Sequence, residues 1–320
     1  MELIPRPLDE RDFDACAALL SGRLAYPQDL LVELPRRWGE LLRQESLLAQ
    51  VVVSSDGEGR RIVGFGAGVF ISDAWLDEIW RAREPYVTLR TLRARPSPIL
   101  CPPAIGRLNA SDGLNVLNLH YAEAPGLSTA LTTALRYEMI RAFLATFAGY
   151  RVKAVAQEMW DEISVEYILN GWGSVRSDYA GWYAARDEPA PPPGLRPYLV
   201  GLTLAEARAK PGDIGAPIFL YTPPRIGFAR GEKALLRQAL LGMTDHEIAQ
   251  NLNLAGPSVK SRWRSIYQRV ARTAPDILGA AGLHDEGGIR GPEKRRQLLE
   301  YLRRNSAELR PGIDERRTPG

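Results

Sequence analysis

The 320-residue chain is poor in sulfur and in histidine: it has two cysteines, Cys16 and Cys101, and three histidines, His120, His246 and His284. The cysteines lie far apart and in no spaced pattern, which argues against a disulfide framework and suits a reducing, cytoplasmic setting. The histidines are scattered, so no metal centre is expected from them. Long apolar runs are missing too. The longest uncharged one, Ile62 to Ile71, is far too short to span a bilayer, and no membrane partner is expected. The opening Met1-Glu2-Leu3-Ile4-Pro5-Arg6 lacks a basic stretch followed by an apolar one, so no secretion signal is expected. What is present is an ordinary globular composition, 45% hydrophobic and 25% charged, in a chain long enough for two domains.

Charge is distributed unevenly. Residues 1–224 hold 23 basic and 27 acidic side chains, whereas residues 225–310 hold 16 and 9. A basic segment joined to a slightly acidic body points to nucleic acid as the partner of the former.

Residues 1–185 alternate strand-like runs (Leu48–Ser54, Arg61–Ile71, Leu114–Tyr121, Arg151–Gln157) with helix-like ones (Glu10–Leu20, Ser128–Phe147). The run from Ala49 to Phe70 reads as a β-hairpin about a glycine turn. The proline-rich stretch Glu188–Pro197 suits a stiff linker, and Thr203 with Glu206 forms a capping box for one short helix, so 186–224 is expected to be linker. Residues 225–272 look helical, and so does the extension 273–320 as far as a frayed tail, Pro311–Gly320. The expected fold class is α+β: a mixed α/β N-terminal domain and an all-α C-terminal one.

Three helices are legible in the second domain. Glu232–Leu241 places Leu235, Leu236, Ala239 and Leu240 on one face, and Gly242 follows at the position that ends helices. Thr244-Asp-His-Glu247 is a capping box opening Asp245–Leu252. Pro257 then starts a third helix to Val270, where a missing N–H costs nothing. Val259, Trp263, Ile266 and Val270 form its apolar stripe. Its other face carries hydroxyls and cations with no acid, a surface able to meet phosphates and base edges in the major groove. The contact set expected on double-stranded DNA is Thr244, Ser258, Lys260, Ser261, Arg262, Arg264 and Arg269. The stretch Gly291–Arg304 is a further amphipathic helix with Leu298, Leu299 and Leu302 on one side.

Glu232 to Ala249 resembles, without a gap, the LuxR-type helix-turn-helix pattern E-x-x-(V/L)-L-x(5)-G-x-(S/T)-x-x-E-I-A, and Ser258-Val-Lys-Ser-Arg-Trp-Arg-Ser-Ile266 continues it. That resemblance implies a DNA-binding transcription regulator acting as a homodimer on an inverted repeat. It departs from the pattern at Pro257 and at Arg262, where His or Tyr is usual. No acidic receiver cluster and no acyl-lactone pocket pattern accompanies it.

The first domain, with its opening strand, the Ala49–Phe70 hairpin and Tyr167-Ile-Leu-Asn-Gly-Trp172, resembles the GNAT N-acetyltransferase fold, with an insertion at about Ser72–Gly113. In that family a loop R/Q-x-x-G-x-G/A before a helix wraps the pyrophosphate of acetyl-CoA. The matching stretch here is Pro125-Gly-Leu-Ser-Thr-Ala130, in which Pro125 removes an N–H and Ser128 replaces a glycine. Tyr167 stands where members carry a general acid, and Glu123 ends the central strand. Both read as structural, so no catalytic residue, no cofactor and no enzymatic activity are expected. The domain is read instead as a sensor of a small-molecule or acyl-CoA-like effector, or as a dimerisation unit. The alternative is a working acetyl-CoA-dependent N-acetyltransferase fused to a DNA-binding module.

Overall fold

The structure, a computed structural model, describes residues 2–21, 26, 28–56, 59–160, 173–187, 189–192, 196–212, 214–278 and 291–311. The chain divides into two compact units: Met1–Phe147 with Arg151–Leu220, and Ala148–Tyr150 with Tyr221–Gly320.

The first unit opens with β1 (Glu2–Pro7), α1 (Phe13–Leu20), α2 (Gln28–Arg43) and the hairpin β2 (Leu47–Asp56) and β3 (Gly59–Ile71). The inserted stretch is helical, with α3 (Asp73–Ala82), α4 (Val87–Arg93) and α5 (Pro102–Ala110). β4 (Leu114–Glu123), α6 (Thr129–Phe147), β5 (Val152–Met159), β6 (Ser174–Ser177), α7 (Ala180–Ala184), β7 (Tyr198–Thr203) and α8 (Leu204–Ala209) complete it. The sheet order is β1-β2-β3-β4-β5-β7-β6. Among the described residues β4 and β5 make its one parallel pair, and the other neighbours run antiparallel.

Alternation along the strands separates the two faces. Val51 and Val53 of β2 join Phe65, Leu119 and the α1, α2 and α4 side chains Leu20, Leu30, Leu34, Trp38, Val87 and Leu92 in the larger core. Val52 and Val63 point the other way, against Leu135 and Met139 of α6. Glycines let α6 approach this closely: a Cβ on Gly64 would stand 2.8 Å from Met139 Sδ, and one on Gly68 would stand 2.9 Å from Phe147 Cζ.

The linker expected at 186–224 is corrected here. Tyr198–Thr203 is an inner strand of the sheet, paired with β5 on one side and β6 on the other, with Leu199, Val200 and Leu202 buried. The prolines that suggested a linker precede this strand, where their missing N–H groups interrupt no ladder. The first unit therefore runs to Leu220. The Tyr167–Trp172 segment, including the reading of Tyr167 as a general acid, lies outside the described residues.

The second unit contains α9 (Arg230–Leu240), α10 (Asp245–Asn251), α11 (Gly256–Thr273) and α12 (Gly291–Arg304). Both halves of the Thr244–Glu247 capping box form, and Gly242 after α9 has φ +82°. Val259, Trp263, Ile266 and Val270 of α11 pack with Leu235, Leu236, Ile248, Leu298 and Leu302 in one core, which makes the extension helix α12 integral to the unit. Glu308, just beyond α12, is 1% exposed and accepts from the Arg225 and Ile226 amides, tying the end of this unit to its start. No helix among the described residues is long and apolar enough to cross a membrane.

Candidate functional site

The centre of the first unit is the place where its parallel strands separate. β4 and β5 pair from Leu114↔Val152 to Asn118↔Gln157, yet β4 continues to Glu123 and β5 to Met159. At the same level the β3–β4 register skips Leu119, so β4 bulges there. Beyond this point β5 stays with β7, and a gap opens between β4 and β5.

A hydrogen-bonded set of side chains fixes the bulge. The carbonyl of Leu119 accepts from Thr88 Oγ1 (2.8 Å) and from the Tyr26 hydroxyl (3.1 Å). Tyr26 also meets His120 Nδ1 at 3.0 Å, while the indole N–H of Trp38 donates to His120 Nε2 at 3.0 Å. Those contacts assign the tautomer. Nε2 accepts, so the neutral ring carries its proton on Nδ1 and donates it to Tyr26, whose own proton goes to Leu119. Burial pushes the His120 pKa down to about 3, which keeps the ring neutral.

Glu158, the first β5 residue past the last parallel pair, stands at the mouth of the gap. Its Oε2 accepts from the Val87 amide at the start of α4 (3.0 Å). Its Oε1 is buried, with the Tyr179 and Trp160 side chains within hydrogen-bonding reach of the carboxylate, although the residue as a whole keeps partial exposure through other atoms. Burial pushes its pKa up to about 7. The buried Tyr179 hydroxyl lies within hydrogen-bonding reach of Glu158, and burial followed by the Glu158 charge pushes its pKa up. Tyr86, before Val87, and Trp160 place their rings 5.2 Å apart beside the same carboxylate. Tyr179 also lines an open cavity of about 610 Å³ with Arg83, Arg176, Asp178, Trp182 and Arg186.

On the opposite face α6 begins next to the end of β4. Ser128 Oγ accepts from the Leu131 amide (3.4 Å), and the Ser128 carbonyl accepts from that of Thr132 (2.9 Å). Thr129 and Ala130 are exposed, and Gly126, at φ +75°, has open space where a Cβ would stand. Glu123 is committed elsewhere, accepting from Arg136 Nε (2.9 Å) and from Tyr121.

In the second unit the seven residues expected on DNA fall into two groups. Ser258, Lys260, Ser261 and Arg264 are exposed on α11. Arg269 instead donates to Glu232 (2.9 Å), which is 4% exposed, and Arg262 donates to the Gly231 carbonyl (3.3 Å). Thr244 is exposed but engaged with Glu247 in its cap. Behind this surface Arg295 of α12 lies over the Trp263 ring at 4.7 Å and shares Asp245 with the Trp263 indole.

Solved structures described as acetyltransferases, one of them of the GNAT family, align with about two thirds of the chain. The C-terminal condensation domain of Ebony, in complex with beta-alanyl-dopamine, is 12% identical, with a TM-score of 0.39 over 63% of this chain and 99% of that one. FeeM, an N-acyl amino acid synthase from uncultured soil microbes, is 12% identical, with a TM-score of 0.36 over 65% and 94%. A variant of a spermidine N-acetyltransferase from Vibrio cholerae is 10% identical, with a TM-score of 0.33 over 65% and 97%. These are likenesses of fold. No family model matches the chain, and no curated protein matches it by sequence.

One expectation is overturned. A first domain without enzymatic activity does not agree with these neighbours, a condensation domain, a synthase and an acetyltransferase by description. The sequence reading rested on the altered loop at Pro125–Ala130 and on Glu123. It passed over Glu158, whose only signal was an acid near the end of the strand Val152–Met159.

Proposed function

We propose that the first unit is an N-acyltransferase that moves an acyl group from acyl-CoA to an amine, and that the second unit binds duplex DNA. The observation that carries the enzymatic reading is Glu158: a carboxylate shielded from solvent and held where two parallel strands part. With its pKa raised to about 7, it can accept a proton from an ammonium group near neutral pH. The amine so freed attacks the thioester carbonyl; a C–N bond forms, the C–S bond breaks, and the thiol leaves with a proton. The opened β4–β5 gap suits the thioester arm. The exposed start of α6 suits the pyrophosphate, with one amide fewer than usual because of Pro125. The acyl-CoA-like effector expected from the sequence is, on this reading, a substrate.

Calorimetric titration with acetyl-CoA and coenzyme A, joined to a thiol-release assay with amines, tests the reading. Micromolar binding with amine-dependent release supports it; absence of both removes it.

Support for DNA binding comes from α11, whose exposed Ser258, Lys260, Ser261 and Arg264 lie away from its buried Val259–Val270 stripe. Two chains on an inverted repeat is the stoichiometry this reading expects. Fluorescence anisotropy with duplex DNA at two salt concentrations checks both points. Protein that ignores duplex DNA at low salt lacks this function.

A further inference from the structure

One side chain of the extension helix α12 touches both α10 and α11. The planar guanidinium of Arg295 lies over the Trp263 ring of α11, 4.7 Å from its centroid. Its Nη1 donates to Asp245 Oδ1 in the first turn of α10 (2.8 Å), and its Nη2 donates to the carbonyl of Met243 just before that helix (3.2 Å). The Trp263 indole N–H donates to the same Asp245 oxygen (3.1 Å), which joins side chains of three helices in one closed set. Tyr267, one turn on from Trp263, stacks on the indole at 5.6 Å. The fork on α10 and the flat face on α11 both need a guanidinium; a lysine ammonium is a point charge and supplies neither.

The place of α12 does not depend on Arg295. Leu298, Leu299 and Leu302 bury the helix in the core shared with Leu235, Leu236, Val259 and Ile266, and Glu308 beyond its end anchors to the Arg225 and Ile226 amides. Apolar contacts of that kind hold helices together without fixing direction. The bonds of Arg295 are directional, and they fix how α10 stands against α11. Where one helix of such a pair enters the major groove, the other crosses the backbone, so the angle between them decides whether both sets of contacts form at once.

Resting on the DNA-binding reading above, we infer that Arg295 is a positioning residue for sequence-selective binding of duplex DNA. Through Asp245 and Trp263 it holds α10 and α11 at the angle in which Ser261 and Arg264 reach base edges, and it touches no DNA itself.

Fluorescence anisotropy of the full chain should compare a duplex selected by the parent from a random-sequence pool with a duplex of unrelated sequence. Both are titrated over a range of salt, and the second unit's thermal transition is followed alongside. In Arg295→Ala the affinity for the selected duplex should fall about tenfold, the scale of one lost base contact, while binding to the unrelated duplex and the salt slope stay as in the parent. Lys260→Ala, by contrast, should weaken both duplexes alike and reduce the salt slope by about 1. Arg295→Lys keeps the charge and the stem but not the fork. It should lose the same selectivity, and it stands in if the alanine variant does not stay folded. Unchanged selectivity in a folded variant overturns the inference, and so does a salt slope reduced by about 1, which makes Arg295 a phosphate contact. A lysine variant with full selectivity overturns the role of the fork. A parent that binds duplexes without selecting any sequence overturns this inference and leaves the DNA-binding reading intact. A parent that ignores duplex DNA at low salt overturns both together.

Discussion

Trp38 and His120, 82 residues apart in the chain, meet through a buried hydrogen bond of 3.0 Å that sets the histidine tautomer and, through Tyr26, the carbonyl at the β4 bulge. The folded protein holds His120 neutral, with its pKa at about 3, whereas the unfolded chain takes up the proton near 6.5. Between these values the unfolded state binds more protons, so this site makes stability fall as pH drops from about 6.5 toward 3. Trp38→Phe, which leaves Nε2 buried without a donor, should cost about 1–3 kcal/mol. Urea midpoints at pH 7 and pH 5 check both; a midpoint unmoved by the substitution removes the role given to this bond.

Glu158 has the opposite sign. Its folded pKa of about 7 exceeds the ordinary 4.5, so the folded state holds the proton longer, and its contribution to stability is lost as pH rises from about 4.5 through 7. Glu158→Gln should therefore raise the urea midpoint at pH 8 relative to the parent, while lowering amine acylation by about 10²–10⁴-fold. In the parent kcat/KM should climb through pH 7, and in the variant that climb should vanish. A variant that keeps both its rate and the climb would show that the base lies elsewhere.

Lys260 and Arg269 should separate DNA affinity from stability. Lys260→Ala on the exposed face of α11 should weaken duplex binding by about 1–2 kcal/mol and reduce the salt slope by about 1. Arg269→Ala strips the buried Glu232 of its cation and should destabilise the second unit by about 1–3 kcal/mol. Anisotropy and thermal unfolding measured on both variants test the division; equal affinity losses for both would erase it.

Trp263 is 7% exposed at the centre of the second core, under Arg295 and bonded to Asp245. Trp263→Ala should destabilise that unit by about 3–5 kcal/mol, the range for truncating a buried aromatic. Calorimetry of the full chain should show one transition moving and the other staying. Movement of the sheet-bearing unit's transition instead would contradict the assignment of Trp263 to a separate core.

What could be read from the chain alone is whatever depends on near neighbours. The Thr244–Glu247 cap, the glycine after α9, the Val259–Val270 stripe and the alternating valines of β2 follow from spacings of two to four residues, and the structure has these elements close to the expected spans. Tertiary structure decided what depends on distant partners. Tyr198–Thr203 is a strand because β5 and β6 flank it, though prolines crowd its approach. Arg269, expected among the DNA contacts, instead faces Glu232 from 37 residues away. Glu158 acquired its raised pKa from burial under α4, a segment of the insertion, because desolvation is a property of the assembled surroundings rather than of the residue type.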